Sequence, residues 1–492
     1  KELTLALQNL KTKKSPGPDN IHSEFLKHLE EKAKSVLLSI FNLSWNTSIP
    51  AAWKKAIIVP IHKKSKPAHD VNSYRPIALL SMIAKTMESM ISNRLTWYLE
   101  SQNLLSPRQA GFRQLHSTNE QVIRIGQEIK DSFNKKEDTL AIFIDFQLAY
   151  DSVWRNKLLL KLQKLGISSN MFRWISEFLS QRFIATKFNN SLSSYRQTYR
   201  GLPQGAVLST TLFNIYINDL PSLLEESNMK TALFADDIVL WTSGSYRHRD
   251  KIQNSALKAL NQLHEWNTSN LMTLNLSKSN YQIFSLGKKE REFNIQYNGQ
   301  HLPRTYESKY LGVIFDSKLT WSNHLKYISE KARKRFSLLK RLAGKKWGCS
   351  RNTLNTTYKM FIQPVLTYCG EILITSPFIN DIEYVQNQAL RLITGGIKTT
   401  PIDSMRFLTN INSIKMTIEE KALIQYEKLI RLPGNNWHSY SPLCRLKTQK
   451  SFISIVQELK QKINIPNLKE NLQIKPNPLT LLNIEYLSLI HI

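Results

Sequence analysis

Residues 229–241 read MKTALFADDIVLW and form the most informative pattern for predicting the fold. Its apolar residues lie on both sides of Asp236 and Asp237, a pattern that predicts two strands joined at an acidic turn. Two adjacent carboxylates between apolar segments are costly unless a positive charge neutralises them. A divalent cation bound at the turn would supply that charge, and an acidic turn exposed to solvent is the simpler alternative.

A third aspartate follows another predicted strand. Residues 140–144 form a continuous apolar run, which predicts a buried strand, and Asp145 comes directly after it. Aspartates at the ends of strands from distant parts of the chain can together bind two Mg²⁺ ions, the arrangement used for in-line attack on a phosphorus atom. Mg²⁺ takes few carboxylates and completes its octahedron with water and phosphate oxygens. Asp145, Asp236 and Asp237 therefore predict a two-metal site.

A glycine-rich loop lies between these two sites in the sequence. Residues 201–205 read GLPQG. Glycines at both ends let the backbone approach a ligand closely, so the loop is a candidate substrate contact. Taken alone, the pattern fits an ordinary loop equally well.

The charge balance points to a polyanionic partner. The 492 residues include 67 Lys and Arg against 38 Asp and Glu, a net charge of +29. Nucleic acid or an anionic membrane surface would suit that excess, and a solvated basic surface is the alternative. No apolar run approaches the ~18 residues of a membrane-spanning helix. The cysteines are too far apart in sequence to predict a metal cluster or a disulfide framework: Cys349, Cys369 and Cys444.

Hydrophobic periodicity predicts the remaining elements. Strands are expected over residues 56–61 and 282–284, and helices over 77–99, 153–182 and 252–275. A helix after residue 20 is expected to have an apolar side formed by Phe25, Leu29, Val36, Ile40 and Leu43. Another helix, after residue 316, is expected to have an apolar stripe formed by Leu325, Ile328, Ala332, Phe336 and Leu339. The other faces of this second helix carry six basic side chains: Lys326, Lys331, Arg333, Lys334, Lys340 and Arg341.

Nine motifs follow one another along the chain. They are Lys14-Ser15-Pro16-Gly17-Pro18-Asp19, Trp53-Lys54-Lys55-Ala56, Tyr74-Arg75-Pro76-Ile77, Gln109-Ala110-Gly111-Phe112-Arg113, Phe143-Ile144-Asp145-Phe146, the loop 201–205, Phe234-Ala235-Asp236-Asp237, Asn275-Leu276-Ser277-Lys278 and Lys309-Tyr310-Leu311-Gly312-Val313. In this order they resemble the motifs of reverse transcriptases from non-LTR, or LINE-type, retrotransposons. The spellings are most similar to those of the jockey-like elements of arthropods.

The resemblance implies an α+β right-hand polymerase with fingers, an antiparallel-sheet palm and a helical thumb, followed by a helical C-terminal region. Residues 1–42 would be an N-terminal extension, 43–316 the fingers and palm, 317–400 the thumb, and 401–492 a C-terminal region of unknown role. Residues 487–492 match the translation of a common sequencing adaptor, so we expect natural sequence to stop near Tyr486. A natural reading frame through those codons in the re-amplified transcript would contradict this.

The resemblance also implies roles at the metal site. Asp145 and Asp236 would be the chief ligands of two Mg²⁺ ions, for which Mn²⁺ could substitute, with Asp237 in support. Lys278 would protonate or neutralise the leaving pyrophosphate. A surface lysine without a catalytic role is the alternative for Lys278.

Further roles follow for substrate contacts. Arg75 would bind the triphosphate, which suits a bidentate guanidinium. Tyr150 would be the steric gate that excludes a ribose 2′-hydroxyl, with simple packing as the alternative, and Gln204 and Gly205 would contact the incoming nucleotide. The six basic side chains after residue 316 would contact the nucleic-acid backbone. The primer grip would be formed by Tyr310, Leu311 and Gly312.

The implied reaction is attack of a primer 3′-hydroxyl on the α-phosphate of a deoxynucleoside triphosphate, with pyrophosphate leaving. The template would be the element's RNA, and nicked genomic DNA would supply the primer; no membrane is expected as a partner. An endonuclease domain is expected upstream of this chain, which starts at Lys1 rather than Met. The enzyme would act in the nucleus at the integration site, after assembly with its RNA in the cytoplasm.

Two alternatives remain open. A decayed copy would be a non-catalytic RNA-binding relic, although the presence of Asp145, Asp236 and Asp237 argues against it. A different template-copying enzyme, either an RNA-making polymerase or a group II intron maturase, would also have such a site. Tyr150 argues against synthesis of RNA, and the motif spellings are closer to jockey-like elements than to maturases.

Overall fold

The computed structural model describes residues 1–463, apart from 65, 289–290, 345–346, 433–436 and 438–439. Residues 487–492, expected to be adaptor-derived, therefore lie outside the described residues. The strands are β1 Lys55–His62, β2 Tyr74–Leu79, β3 Asp138–Ile144, β4 Arg182–Phe188, β5 Ser191–Leu192, β6 Arg196–Thr198, β7 Lys230–Phe234, β8 Asp237–Gly244, β9 Asn280–Phe284, β10 Gln296–Tyr297, β11 Gln300–His301, β12 Arg304–Thr305, β13 Glu307–Tyr310 and β14 Val313–Asp316.

The α-helices of the described residues extend from the N-terminus to the far end of the chain. They are α1 Glu2–Gln8, α2 Ser23–Lys27, α3 Glu31–Asn46, α4 Met82–Ser101, α5 Thr118–Lys135, α6 Ala149–Ser152, α7 Arg155–Lys164, α8 Ser169–Leu179, α9 Leu208–Tyr216, α10 Leu220–Glu225, α11 Arg249–Ser269, α12 Ser322–Leu342, α13 Arg351–Thr357, α14 Gln363–Leu366, α15 Gly370–Leu373, α16 Asn380–Thr394, α17 Ile402–Thr409, α18 Ile414–Ile430 and α19 Phe452–Ile463.

Strands β1, β2, β4, β5 and β6 form the first sheet. β1 pairs antiparallel with β2 and parallel with β4, and the predicted strand over residues 56–61 is confirmed as part of β1. The predicted helix over 77–99 is wrong at its start, because residues 77–79 pair with β1. The helix begins at Met82, where the Ser81 hydroxyl caps it by accepting from the Ala84 N–H.

The predicted apolar side of the helix after residue 20 is wrong. The chain forms two helices, α2 and α3, separated at residues 28–30, where Glu30 is extended. α3 has apolar residues on two adjacent stripes, and it buries the stripe with Leu37 and Phe41 instead. Four of the five predicted residues are exposed: Phe25, Val36, Ile40 and Leu43.

The central sheet has the strand order β12-β9-β3-β8-β7 among the described residues. β3, β7, β8 and β9 pair antiparallel, whereas β12 joins β9 in parallel. The predicted strand over 140–144, the strand pair around Asp236 and the strand over 282–284 are confirmed as parts of these elements. Every residue of β3 is buried, because its alternate side chains pack into hydrophobic clusters on opposite faces of the sheet.

Helices cover both faces of the central sheet. One cluster joins β3 to α5 through Phe143 and Val122, and the other joins it to α9 and α11 through Ile142, Leu212 and Leu260. The predicted helix over 252–275 corresponds to α11, which ends at Ser269, whereas the predicted helix over 153–182 is divided into α7 and α8.

The chain after β14 is helical in the described residues. α12 buries the predicted apolar stripe of Leu325, Ile328, Ala332, Phe336 and Leu339. Beyond residue 400, α17–α19 follow, and Phe452 and Ile453 of α19 share a hydrophobic cluster with Ile123 of α5. Within the described part of the chain, no helix has both the length and the apolar character needed to cross a lipid bilayer.

Candidate active site

Strand register places three aspartates at one end of the central sheet. β3 pairs with β8 so that Ile144 lies opposite Ile238. The next residue of the first chain segment, Asp145, therefore lies across from Asp237. β7 and β8 are joined by a two-residue turn, Ala235-Asp236, which we call the acidic turn. The carboxylates predicted from the sequence are thus brought to the same end of the sheet.

Asp145 is held by the segment that precedes β9. Asn275 Nδ2 and Lys278 Nζ each donate to Asp145 Oδ2, both at 3.0 Å. The Asp145 N–H donates to Ser279 Oγ at 3.1 Å, and the Asp145 carbonyl accepts from the Asn275 N–H at 2.8 Å. The Lys278 side chain is nevertheless 63% exposed. The predicted motif at 275–278 therefore places an amide and a largely exposed ammonium group at one carboxylate oxygen of Asp145.

The pKa values of the acidic turn reflect burial and crowding of like charges. Partial burial, followed by the charge of Asp145, raises the pKa of Asp236, against the opposing effects of its own backbone N–H and of Lys278. Burial, and then the charges of Asp236 and Asp145, raise the pKa of Asp237 to about 6, although the residue is exposed at the strand end. A bound cation would relieve the repulsion that contributes to both shifts.

The donor set suits a hard divalent cation such as Mg²⁺, which takes oxygen ligands. Among the described residues, no group of three or more His, Cys, Asp or Glu side chains is arranged to hold a metal ion by itself. The Lys278 ammonium also occupies one oxygen of Asp145. The residues therefore fit ions that share their coordination with a bound substrate, as Mg²⁺ commonly does with phosphates.

The glycine-rich loop 201–205 packs between two segments that carry predicted site residues. One of its N–H groups donates to the Tyr150 carbonyl at 2.8 Å, and the Ala78 N–H of β2 donates to the Gln204 carbonyl at 2.8 Å. Gly205 has a φ of +128°, and a Cβ there would lie 2.7 Å from the Ala78 carbonyl oxygen. A glycine is needed here because β2 leaves no room for a side chain.

Tyr150 is fixed by packing close to the acidic turn. Its ring stacks on Phe213 of α9, with centroids 4.7 Å apart and 16° between the planes. Its hydroxyl is buried, and no group of the described residues forms a hydrogen bond with it. Burial, and then the charge of Asp236, raise the pKa of Tyr150. The ring rather than the hydroxyl therefore determines what this residue presents to a ligand.

Arg75 and Gln204 lie at the edge of this arrangement. Arg75 is exposed on β2, and within the described residues no ion pair joins it to the three aspartates. Gln204 Nε2 donates to Asp151 Oδ2 at 2.9 Å, an internal contact that turns the amide toward the segment of Tyr150. The structure thus brings β2 to the loop through the backbone, and among the described residues the Arg75 guanidinium forms no ion pair that would compete with an anionic ligand.

The predicted primer grip is the turn of the β13–β14 hairpin. Leu311 and Gly312 have φ values of +47° and +85°, and Gly312 is exposed. Tyr310 instead is buried, with its ring centroid 6.0 Å from that of Phe143. The hydroxyl of Tyr368, between α14 and α15, donates to the Leu311 carbonyl at 2.8 Å. The turn is therefore tied to both the central sheet and the later helical segment.

The six predicted basic contacts on α12 are exposed and form two rows. At 3.6 residues per turn, residues 326, 333 and 340 lie on one flank of the buried stripe, whereas 331, 334 and 341 lie on the face opposite to it. Tyr327 lies on this opposite face, where its hydroxyl accepts from Lys309 Nζ at 3.1 Å and its ring is 5.9 Å from Lys331 Nζ. The second row therefore continues into the β13–β14 hairpin.

Several functional contacts were not predicted from the sequence. The side chains of Asn275, Gln109 and Asp151 contact Asp145, Ala235 and Gln204 respectively. The first two lie in motifs quoted above and Asp151 follows Tyr150 directly, so the sequence indicated these segments without indicating their partners. Tyr368 lies in no quoted motif, and no sequence signal indicated its contact.

Comparisons with known proteins agree with the motifs. Residues 61–315 match the family model described as reverse transcriptase (RNA-dependent DNA polymerase). The probable RNA-directed DNA polymerase from transposon BS of Drosophila melanogaster is 32% identical over 406 residues, which are 80% of this chain and 44% of that protein. The RNA-directed DNA polymerase from mobile element jockey of the same species is 29% identical over 411 residues, 80% of this chain and 43% of that protein.

A solved structure is also similar, though weakly. The apo telomerase from Candida tropicalis, truncated from its C-terminal domain, is 14% identical with a TM-score of 0.37, covering 59% of this chain and 60% of that chain. The chain spans less than half the length of the two curated relatives. Since the family model matches more than half of the residues, the predicted resemblance is confirmed, and the chain belongs to the reverse transcriptase (RNA-dependent DNA polymerase) family.

Proposed function

We propose that this chain is the polymerase portion of a non-LTR retrotransposon protein and copies an RNA template into DNA by extending a primer 3′-hydroxyl. The observation that carries the proposal is the placement of Asp145, Asp236 and Asp237 at one end of the central sheet, with Lys278 on Asp145. Two strand-end carboxylate sites beside a glycine-rich loop and a stacked tyrosine fit nucleotidyl transfer.

The parts of a right-hand polymerase can be assigned to elements on this basis. The central sheet with its helices is the palm, and the first sheet, which meets the loop 201–205 through β2, belongs to the fingers. α12 and the helices up to residue 400 form the thumb. Residues 1–42 are the N-terminal extension, and α17–α19 belong to a C-terminal region that packs on the palm helix α5.

The acidic groups have distinct tasks in this proposal. Asp145 and Asp236 hold two Mg²⁺ ions, with Asp237 in support and Mn²⁺ as a substitute. When bound, the ions supply the positive charge that activates the primer hydroxyl and offsets the charge of the triphosphate. Lys278 is exposed and 3.0 Å from Asp145, so it can leave that carboxylate to neutralise or protonate the departing pyrophosphate.

The residues around the acidic turn select the nucleotide. Arg75 binds the triphosphate through its exposed guanidinium. The Tyr150 ring lies under the sugar and excludes a 2′-hydroxyl, because its stack on Phe213 keeps it from moving aside. Gln204 and Gly205 present backbone atoms of the loop to the incoming nucleotide.

The substrates follow from the proposed family role. The template is the element's own RNA, the primer is nicked genomic DNA, and the building blocks are deoxynucleoside triphosphates. The place of action would be the nucleus, after assembly with the RNA in the cytoplasm. The net charge of +29 suits these polyanions.

Primer extension on an RNA template with purified protein, Mg²⁺ and deoxynucleotides tests the proposal. We expect Asp236→Asn to reduce extension at least about a hundredfold, roughly 2.7 kcal/mol in barrier, while binding of RNA is retained. Asp250→Asn, at a carboxylate whose side chain is 90% exposed, is the matched control. Extension by Asp236→Asn at the wild-type rate would contradict the metal site. If the wild type binds RNA but does not extend a primer, the chain is the alternative, a non-catalytic RNA-binding relic.

A further inference from the structure

The acidic turn has a backbone conformation that its sequence does not favour. Ala235 is the first of its two central residues and has a φ of +56°, whereas Asp236 is not left-handed. A positive φ at this position of a two-residue hairpin turn is usually taken by glycine. For an alanine the left-handed conformation is unfavourable, because its Cβ comes too close to the following carbonyl oxygen. Something must offset this cost for the turn to persist.

A buried glutamine contacts both backbone groups of Ala235. Gln109 is 2% exposed, and its Oε1 accepts from the Ala235 N–H at 2.9 Å. Its Nε2 donates to the Ala235 carbonyl at 3.2 Å. The same Oε1 also accepts from the Gly111 N–H at 2.7 Å. Both ends of one side-chain amide therefore bind the single residue that is strained.

The segment that carries Gln109 is itself fixed against the sheet. The Ala110 N–H donates to the Leu233 carbonyl of β7, and the Leu233 N–H donates to the Arg108 carbonyl, both at 2.9 Å. A Cβ on Gly111 would lie 2.2 Å from the Ala235 nitrogen, so only glycine permits this approach.

A second buried amide links the same segment to α9. Asn214 Nδ2 donates to the Gly111 carbonyl at 2.7 Å, and Asn214 is 2% exposed. α9 follows directly from the glycine-rich loop and carries Phe213, on which Tyr150 stacks. The chain Gln109-Gly111-Asn214 thus connects the acidic turn to the part of the site proposed to receive the nucleotide.

We infer that Gln109 is a positioning residue, which holds Ala235 left-handed and thereby aims the carboxylates of Asp236 and Asp237 toward Asp145. The inference rests on the proposed metal site. Groups that orient metal ligands typically change metal affinity 10–100-fold when they are removed. Loss of the Gln109 amide therefore lowers affinity for a divalent ion without removing a ligand.

Direct binding of Mn²⁺ to the full chain with a primer–template, measured by water-proton relaxation, tests this without relying on activity. We expect Gln109→Met to raise the Kd for Mn²⁺ about tenfold. Gln386→Met is the matched control, because Gln386 is also fully buried and donates to the Asn412 carbonyl in the later helical segment, not to the turn. It should change the Kd less than about twofold, since none of its described contacts reaches the turn.

A second substitution separates positioning from a general packing effect. In the Gln109→Met background, Ala235→Gly should restore most of the lost Mn²⁺ affinity, because glycine adopts a positive φ without support. Packing of the buried Gln109 side chain would not be repaired by that change. An unchanged Kd in folded Gln109→Met, or no recovery in the double variant, would overturn the inference.

Two further outcomes are informative. If Gln109→Met does not fold, Gln109→Asn replaces it: this variant keeps an amide in the buried position, but its side chain is one methylene too short to bind both backbone groups of Ala235. Weaker Mn²⁺ binding would support positioning, and unchanged or tighter binding would overturn it. Retained Mn²⁺ binding by Asp236→Asn would instead refute the proposed metal site, so the two failures are distinguishable.

Discussion

Two tight hairpin turns, the acidic turn between β7 and β8 and the turn between β13 and β14, each contain at least one residue with a positive φ. They are held by different parts of the chain. The first is bound on both sides of Ala235 by the buried amide of Gln109. The second has its Leu311 carbonyl bound by the hydroxyl of Tyr368, 57 residues further along the chain. The Tyr368 side chain is 39% exposed, whereas that of Gln109 is 2% exposed.

This difference indicates that the proposed palm and thumb have separate roles. The acidic turn is fixed by the segment 108–111, which is itself hydrogen-bonded to β7 of the central sheet. We therefore expect the carboxylates to keep their arrangement independently of the later helices. The turn at Leu311 and Gly312 depends on a contact with the helical segment proposed as the thumb. We therefore expect changes at the first turn to affect the chemical step, and changes at the second to affect binding of the primer–template.

Gly111→Ala should distort the acidic turn and have the largest effect on single-nucleotide addition. The added Cβ would lie 2.2 Å from the Ala235 nitrogen, so the turn must shift by about an ångström. A misplacement of that size can lower a rate roughly a hundredfold, and we expect a loss of that order in single-nucleotide addition. Gly244→Ala, in β8 of the same sheet, is the control, because its Cβ would meet Ile252 at an ordinary 3.4 Å. Equal activity of the two variants would contradict the tight approach.

The sequence predicted the strands around the candidate site better than it predicted the packing of the helices. Residues 140–144 and the strand pair around Asp236 were predictable because continuous apolar runs ending in carboxylates allow few other structures. The apolar side of α3 was not, since its apolar residues lie on two adjacent stripes and periodicity does not indicate which of the two packs inward. The contacts of Gln109 and Tyr368 depend on partners more than fifty residues away, which no local pattern encodes.

Tyr150→Ala should change the nucleotide selectivity of the site that contains the acidic turn. Removing the ring opens the space under the sugar, so incorporation of ribonucleotides relative to deoxynucleotides should rise roughly 10–200-fold, the range for one small group in a tight pocket. Tyr150→Phe is the control. It should retain discrimination, because no described residue forms a hydrogen bond with the hydroxyl and the ring stacks on Phe213. Competition between the two nucleotide types measures this, and an unchanged preference in Tyr150→Ala would place the gate elsewhere.

Tyr368→Phe should weaken the second turn and leave the first intact. Loss of one hydrogen bond to the Leu311 carbonyl is worth about 1 kcal/mol, so the KM for primer–template should rise roughly fivefold with kcat unchanged. Tyr358→Phe is the control, because that hydroxyl donates to Gln386 at 2.7 Å in the core of the same helical segment. It should lower thermal stability without changing the KM. A fall in kcat for Tyr368→Phe would mean that the two turns are not independent.

The smallest effect on the chemical step is expected from the basic side chains of α12. Their two rows differ in position, because residues 331, 334 and 341 lie opposite the buried stripe on the same face as Tyr327, which accepts from Lys309 of the β13–β14 hairpin. The other row, at 326, 333 and 340, lies beside the buried stripe and lacks that link among the described contacts. The first row is therefore the one expected to follow the duplex that the second turn is proposed to grip.

Replacing one row at a time with glutamine tests this assignment, since both variants lose three charges from the same helix. Each neutralised phosphate contributes about −0.9 to the slope of log affinity against log salt concentration, so loss of Lys331, Lys334 and Arg341 should flatten the slope by roughly 2.7. Loss of Lys326, Arg333 and Lys340 should change the slope by less than about one. Fluorescence anisotropy across a salt series gives both slopes, and single-nucleotide addition at saturating primer–template should be unaffected in either variant. Equal slope changes would mean that α12 attracts nucleic acid through its overall charge, and unchanged slopes would mean that the basic rows only keep the helix soluble.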